Sequence, residues 1–202
     1  MPYGLTSKLE AVNTMLNAIG ESPVNQLGEQ GPADAVMAES ILDETTKEFQ
    51  AEGWHFNSHY DWELIRDENN KVPLPSNTVR VDSVGWQNSD VDIIQRGDYL
   101  YDKKNNTFVF TSNLKNIDII FMLDWSDLPE TARRYAMIKA ARVFGDRTLG
   151  SAPHHNYTAQ DEMRSLATLR EFESDNADLT IFDHHHVSHT LERGPSHVRS
   201  IF

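Results

Sequence analysis

The chain has 202 residues, 39% hydrophobic and 24% charged, with 10 Gly and 8 Pro; this excludes a disordered or fibrous protein and allows one large domain or two small ones. It has no cysteine, which removes disulfide scaffolds, thiol nucleophiles and cysteine-ligated metal sites. The formal charge of −13 is uneven: residues 1–130 carry 9 Lys and Arg against 22 Asp and Glu, while residues 131–202 carry 9 of each. An acidic surface of this kind repels phosphate, so tight, sequence-specific nucleic-acid binding is not expected. The longest apolar run, Ile119–Leu123, falls far short of the ~20 residues of a membrane helix. Met1–Glu10 lacks an apolar signal core, and a soluble intracellular product is expected.

In chain order, Leu5, Leu9, Val12, Leu16 and Ile19 fall on one helical stripe. Ser7 and Glu10 fit an S-x-x-E capping box, and Gly20 followed by Pro23 is a stop signal. A second helix is predicted from about Ala33 to Glu52, with Ala38, Ile41, Leu42, Thr45 and Phe49 inward and Gly53 closing it. The period then changes to two. Trp54 and Phe56, then Tyr60, Trp62 and Leu64, alternate as in a strand. Further strands are predicted at Thr78–Trp86, at Asp92–Gln95 and Asp98–Asp102 around an Arg96-Gly97 turn, at Thr107–Thr111 with Phe108 and Phe110 on one face, and at the buried Ile117–Leu123. About six strands joined by short turns suggest a small antiparallel sandwich or barrel.

Helical periodicity returns at Pro129, with Ala136, Met137, Ala140, Val143 and Phe144 on one face; Gly150 and Pro153 end that helix. A fourth helix, about Thr158 to Glu173, buries Ala159, Met163, Leu166 and Leu169. Neither helical pair has two full faces to bury alone, so the pairs are expected to pack together. The predicted class is α+β: a four-helix unit formed by residues 1–53 and 126–176, an inserted β domain over 54–125, and an extended C-terminal tail, 177–202. The tail has no sustained period and carries His184–His186, His189 and His197. It either frays or is tied down by a partner.

Chemistry is sparse. His185 and His189 have the i, i+4 spacing of a helical zinc pair, but the segment lacks a helical pattern and further ligands, so a polar tail is the reading. Asp61 and Glu63 share one face of a predicted strand, with no cleft to make them an acid–base pair. Walker, dinucleotide and nucleophile-elbow motifs are absent. The Asp98–Asn106 run lacks the glycine and terminal glutamate of a calcium loop and reads as a hairpin. Trp54, Phe56, Tyr60 and Trp62, among acids, read as packed core rather than base-stacking platforms. Arg133, Arg134, Lys139, Arg142 and Arg147 spread around their helix instead of forming a stripe, which suits ion pairs and subunit contacts better than nucleic acid. No cofactor or metal is expected.

The ordered set Ala11-Val12-Asn13, Ile19-Gly20-Glu21-x-Pro23-Val24, Ile41-Leu42, Gly53-Trp54-His55-Phe56-Asn57, Tyr99-x-Tyr101-Asp102, Leu128-Pro129-Glu130, Arg134-Tyr135 and Ala140-Ala141-Arg142-x-Phe144 with Arg147 resembles the tail tubular protein A family, the head–tail adaptors of short-tailed bacteriophages. The resemblance spans about 150 residues and stops near Asp175. It implies a structural virion protein rather than an enzyme: twelve copies in a ring between the portal protein and the tail nozzle and its fibres, assembled in the host cytoplasm, with double-stranded DNA passing through the channel unbound and no membrane contact. On this view the tail docks on the portal through Leu179, Ile181, Phe182, Ile201 and Phe202, and Arg133, Arg134, Arg142 and Arg147 are subunit-interface charges. The alternatives are a head-completion connector of another phage lineage and a tail-associated polysaccharide hydrolase that uses carboxylates of the β unit.

Overall fold

The computed structural model describes residues 4–83, 90–150 and 152–176, with only the backbone of 152–158. It is an α+β fold of four helices and two small antiparallel sheets. Helix α1 (Lys8–Ile19) starts at the expected capping box: Ser7 accepts from the Glu10 amide while the Glu10 carboxylate accepts from Ser7 N at 2.7 Å. It stops at Gly20, whose φ of +85° is the left-handed cap that glycine takes without a Cβ penalty. Helices α2 (Ala33–Gln50), α3 (Glu130–Leu149) and α4 (Ala152–Asn176) complete the set.

One helical core joins α1, α2 and α3 through Val12, Met15, Leu16, Ile41, Leu42 and Phe144, with Ala38 and Ala140 allowing close approach. A second gathers Phe49, Leu128, Tyr135 and Leu169, with Tyr135 edge-on to Phe49 at 5.6 Å. Helix α4 begins earlier than its periodicity suggested, and Met163, expected inside, is 71% exposed. Leu5, placed on the apolar stripe of α1, also lies outside, because it precedes the helix.

The strands are β1 (Ser58–Leu64), β2 (Thr78–Ser83), β3 (Ile93–Arg96), β4 (Tyr99–Asp102) and β5 (Leu114–Phe121). The last strand is central in a three-stranded sheet ordered β1–β5–β2, and β3–β4 form a separate hairpin. Both sheets bury one core that includes Val72, Val81, Leu100, Phe110, Ile117 and Ile119. The hairpin turn is Gly97-Asp98, one residue later than expected, with Gly97 at φ +63° as a primed turn needs. Strand β1 pairs with β5 through two offsetting irregularities, with Asp61 and Asn116 both at φ +55°. Asp and Asn tolerate that region best, so register is lost and regained within four residues.

One expected strand starts later than its alternation suggested, and another is absent among the described residues. Trp54 and Phe56 alternate, but they enter a short 3₁₀ turn, His55–Asn57, and pack on the Phe49 cluster. Thr107–Thr111 is a loop with one isolated bridge, Thr107 to Asp102, that buries Phe110 and leaves Phe108 partly exposed.

Buried amides fix the passage from α2 into β1. Gln50 donates to Leu123 O at 3.1 Å and accepts from Leu123 N at 2.9 Å, so its side chain behaves as one rung of a β-ladder. Asn57 Nδ2 donates to Gln50 O and Phe121 O at 2.9 and 3.0 Å, and its Oδ1 accepts from Trp54 N at 2.8 Å. Gly53 sits between them at φ +84°, and an added Cβ there would lie 2.5 Å from Ile120 Cδ1.

Two measurements test this passage. Asn57→Ala strands three buried backbone groups and should cost about 2–4 kcal/mol in urea unfolding. Gly53→Ala should cost about 1–3 kcal/mol from left-handed strain and the clash, with part recovered when Ile120→Val removes the opposing methyl.

Candidate functional site

Four arginines of α3 were expected at subunit contacts, and they have different surroundings. Arg133 lies inside the protomer: its guanidinium donates to Leu128 O at 2.8 Å, Ser126 O at 2.7 Å and Thr6 O at 3.1 Å. Only 5% of it is exposed, so it offers a neighbouring subunit almost no surface and instead ties the chain before α1 to the chain before α3. Beside it, Glu130 accepts from Thr6 N at 2.8 Å, and Trp125 Nε1 donates to Thr6 O at 3.0 Å. Arg142 is half-buried between Asp146 and a very close Glu162 carboxylate, clamping α4 onto α3. Hydrogen bonding to Glu162, against the cost of burial, holds its guanidinium pKa above the usual value. Arg147 meets Glu44 at 3.2 Å. Arg134 is exposed and has no ion-pair partner among the described residues.

Arg134 stands on the rim of a groove. Helix α3 has α1 and α2 against its apolar side and α4 beside Tyr135 and Arg142. The remaining side, between α1 and α4, is open. There Met137, Ile138 and Ala141 form the floor of a cavity of about 530 Å³, with Ala18 on the α1 wall and Arg164 and Ser165 on the α4 wall. The Thr131 hydroxyl at its edge is buried with no hydrogen-bond partner.

On the far side of α3, Tyr135 is enclosed by α2 and α4. Burial, then the charges of Glu162, Glu52 and Glu48, push its hydroxyl up to about 12. Lys139 meets Glu48 at 3.3 Å in the same place. Glu173 of α4 accepts from His55 N at 2.5 Å, pinning the 3₁₀ turn, and burial raises its carboxyl above the usual glutamate value.

The β unit shows two further surfaces. Asp82 and Asp118 are register partners across β2 and β5, and Asp61 of β1 lies beside them. Burial, with the Asp61 and Asp82 charges adding to it, raises the Asp118 carboxyl. Glu63 meets Lys115 of the neighbouring β5 at 3.8 Å. Asp118 lines a depression of about 80 Å³, room for two or three waters. The exposed face of the β3–β4 hairpin is aromatic and cationic. Arg96 lies over Tyr101 at 3.7 Å, Phe108 meets Tyr101 edge-on at 4.9 Å, and Lys71 approaches Tyr99 at 5.6 Å. Tyr60 and Trp62, expected in the core, lie on the exposed β1 edge instead.

The Asp98–Asn106 segment folds as the expected hairpin and turn. Asp102 is buried and accepts from Asp92 N, Lys104 N, Asn105 N and Asn105 Nδ2. Burial opposes its charge, but these donors outweigh it and hold the carboxyl below the usual aspartate value. No cluster of three metal-ligating side chains occurs among the described residues, and no described helix is long and apolar enough to cross a membrane. The tail candidates Leu179, Ile181, Phe182, Ile201 and Phe202, and the histidines from 184 onward, lie outside the described residues.

Sequence could not have shown the open side of α3, because it depends on which faces three other helices cover. It could not have separated Arg133 from Arg134 either, since the carbonyls that hold Arg133 are supplied by tertiary folding.

Comparison with known proteins places these surfaces in context. The family model described as "Tail tubular protein" matches residues 9–179. "Tail tubular protein A" of Klebsiella phage KP34 is 30% identical over 165 residues, covering 81% of this chain and 86% of that protein.

Two outcomes follow from the arginines and from Asp102. Arg133→Lys cannot reach three carbonyls at once and should cost about 2–3 kcal/mol, whereas Arg134→Ala should change stability by under about 0.5 kcal/mol. Because the folded Asp102 carboxyl titrates below its unfolded value, its stabilisation is complete above that unfolded value and lost as pH falls through the folded one. Asp102→Asn should therefore destabilise strongly at pH 7, and the gap from the unchanged protein should narrow by pH 3 in urea titrations.

Proposed function

The chain belongs to the tail tubular protein family and is a structural component of the phage tail, and from that premise we propose that it is the head–tail adaptor. In this reading twelve copies form a ring between portal and nozzle, the genome passes through the ring during ejection, and the chain catalyses no step. The observation that carries the proposal is the family match over residues 9–179, which spans both sheets and, but for Lys8, the four described helices.

A ring is a head-to-tail assembly and needs two different, complementary faces on each protomer. The open side of α3 and the acid-rich surface contributed by residues 1–130 supply chemically distinct faces. Arg134 is the arginine of the four assigned to the subunit contact, since Arg142 and Arg147 are ion-paired within the chain and Arg133 is buried. Residues 177–202 dock on the portal, burying Leu179, Ile181, Phe182, Ile201 and Phe202. The excess of carboxylates keeps passing DNA from adhering, because a basic wall would hold each phosphate. The aromatic face of the β3–β4 hairpin is assigned to the nozzle, as Tyr and Arg are over-represented where binding energy concentrates.

Light scattering after size exclusion tests this reading. The 23.0 kDa chain mixed with its portal should add twelve copies to the portal mass. Truncation after Asp175 should leave the fold intact and abolish that addition. A chain that stays at its monomer mass beside the portal overturns the adaptor assignment.

A further inference from the structure

Among the described residues, the side of α3 between α1 and α4 is an open groove. Three sides of α3 are covered by α1, α2 and α4, and the fourth is a trough of about 530 Å³ with an apolar floor. Its rim carries Arg134, which has no ion-pair partner among the described residues, and Arg164, which meets the rim's Asp161 at 3.6 Å. Such a face accepts an apolar knob flanked by carboxylates.

The same protomer carries that knob on its other flank. Met163 is the most exposed of the large hydrophobic residues described, at 71%. At 100° per residue it lies roughly 140–160° around α4 from the groove-lining Asp161, Ser165 and Thr168. It therefore cannot fill its own groove. The Glu48 and Glu52 carboxylates lie toward this second flank, close enough to Tyr135 to raise its pKa together with Glu162. Glu52 is exposed and has no ion-pair partner among the described residues.

We propose that the α1–α3–α4 groove seats the Met163 flank of α4 from a second copy of this chain, with Glu52 of that copy facing Arg134. The inference rests on the ring reading and supplies its lateral contact. The two faces differ and lie on opposite flanks of one helix, so the contact is heterologous and leaves every open row of copies with one free groove at one end and one free knob at the other. Thioether and alanine surfaces suit this role, because methionine adapts to irregular apolar troughs.

Because the chain has no cysteine, cross-linking can be read cleanly. Full-length Ala141→Cys and Met163→Cys chains are mixed with a short bis-maleimide. The mixture should give a covalent dimer near twice 23.0 kDa, and each variant alone should give none. Arg134→Glu in the groove-bearing chain should cut the dimer yield about fivefold, and Glu52→Arg in the other chain should restore it. No dimer from the mixture, or equal dimer from either variant alone, overturns the contact. Thermal unfolding of each variant, matching that of the unchanged chain, excludes misfolding as the cause. Twelve-copy mass on the portal without this cross-link leaves the adaptor reading standing and moves the lateral contact elsewhere. The cross-link without added portal mass does the reverse.

Discussion

The backbone passes between helices and sheet at residues 50–58 and again at 121–130, and buried side chains that hydrogen-bond to main chain hold both passages. At the first, Gln50 and Asn57 bond to the carbonyls or amides of Phe121, Leu123, Trp54 and Gln50 itself. At the second, Arg133 gathers three carbonyls from two segments over a hundred residues apart in sequence. An apolar interface would let the two parts slide, because dispersion and desolvation have little directionality. Amide and guanidinium geometry does not, and an unmade bond here leaves a buried polar group unsatisfied. The directions in which the chain leaves the helices and rejoins them are therefore fixed by a handful of polar atoms.

Much of the fold was legible in the sequence where local chemistry and burial agree. The α1 capping box and Gly20 stop are local devices, and the structure contains both. The run from Ile117 onward reads as buried because it is central, paired on both sides. Misreadings arose where a pattern was too short to carry a period. Trp54 and Phe56 are two apart, but so are residues entering a 3₁₀ turn, and it is Asn57 capping Trp54 N that decides between them. Met163 fits an inward stripe on a helical wheel. It is exposed because α4 packs on α3 and the His55–Asn57 turn, and no further helix among the described residues covers the rest.

The surfaces were less legible than the fold. Composition located the acidic excess, but not that Asp61, Asp82 and Asp118 meet across a sheet, which depends on strand order. Family membership establishes a structural protein of the phage tail. The arrangement of grooves and patches adds what membership cannot: one helix, α3, has an arginine devoted to the fold, two paired to neighbouring helices, and one left on an open rim. Their separate tasks follow from angular position, since α3 packs against each of the other three helices.

The strand order also has a consequence for how the chain is made. Strand β5 is the last of the five in sequence and the middle of its sheet, so β1 and β2 have no partner in the three-stranded sheet until residue 121 has been synthesised. Helices α1 and α2 likewise wait for α3 to complete their core. A nascent chain thus gains little from early local contacts and folds late, as a unit, once most of it is available. For a protein that joins an ordered assembly line, this delays commitment. Translation products that stop before residue 130 lack α3 and α4, and with them the floor and one wall of the groove.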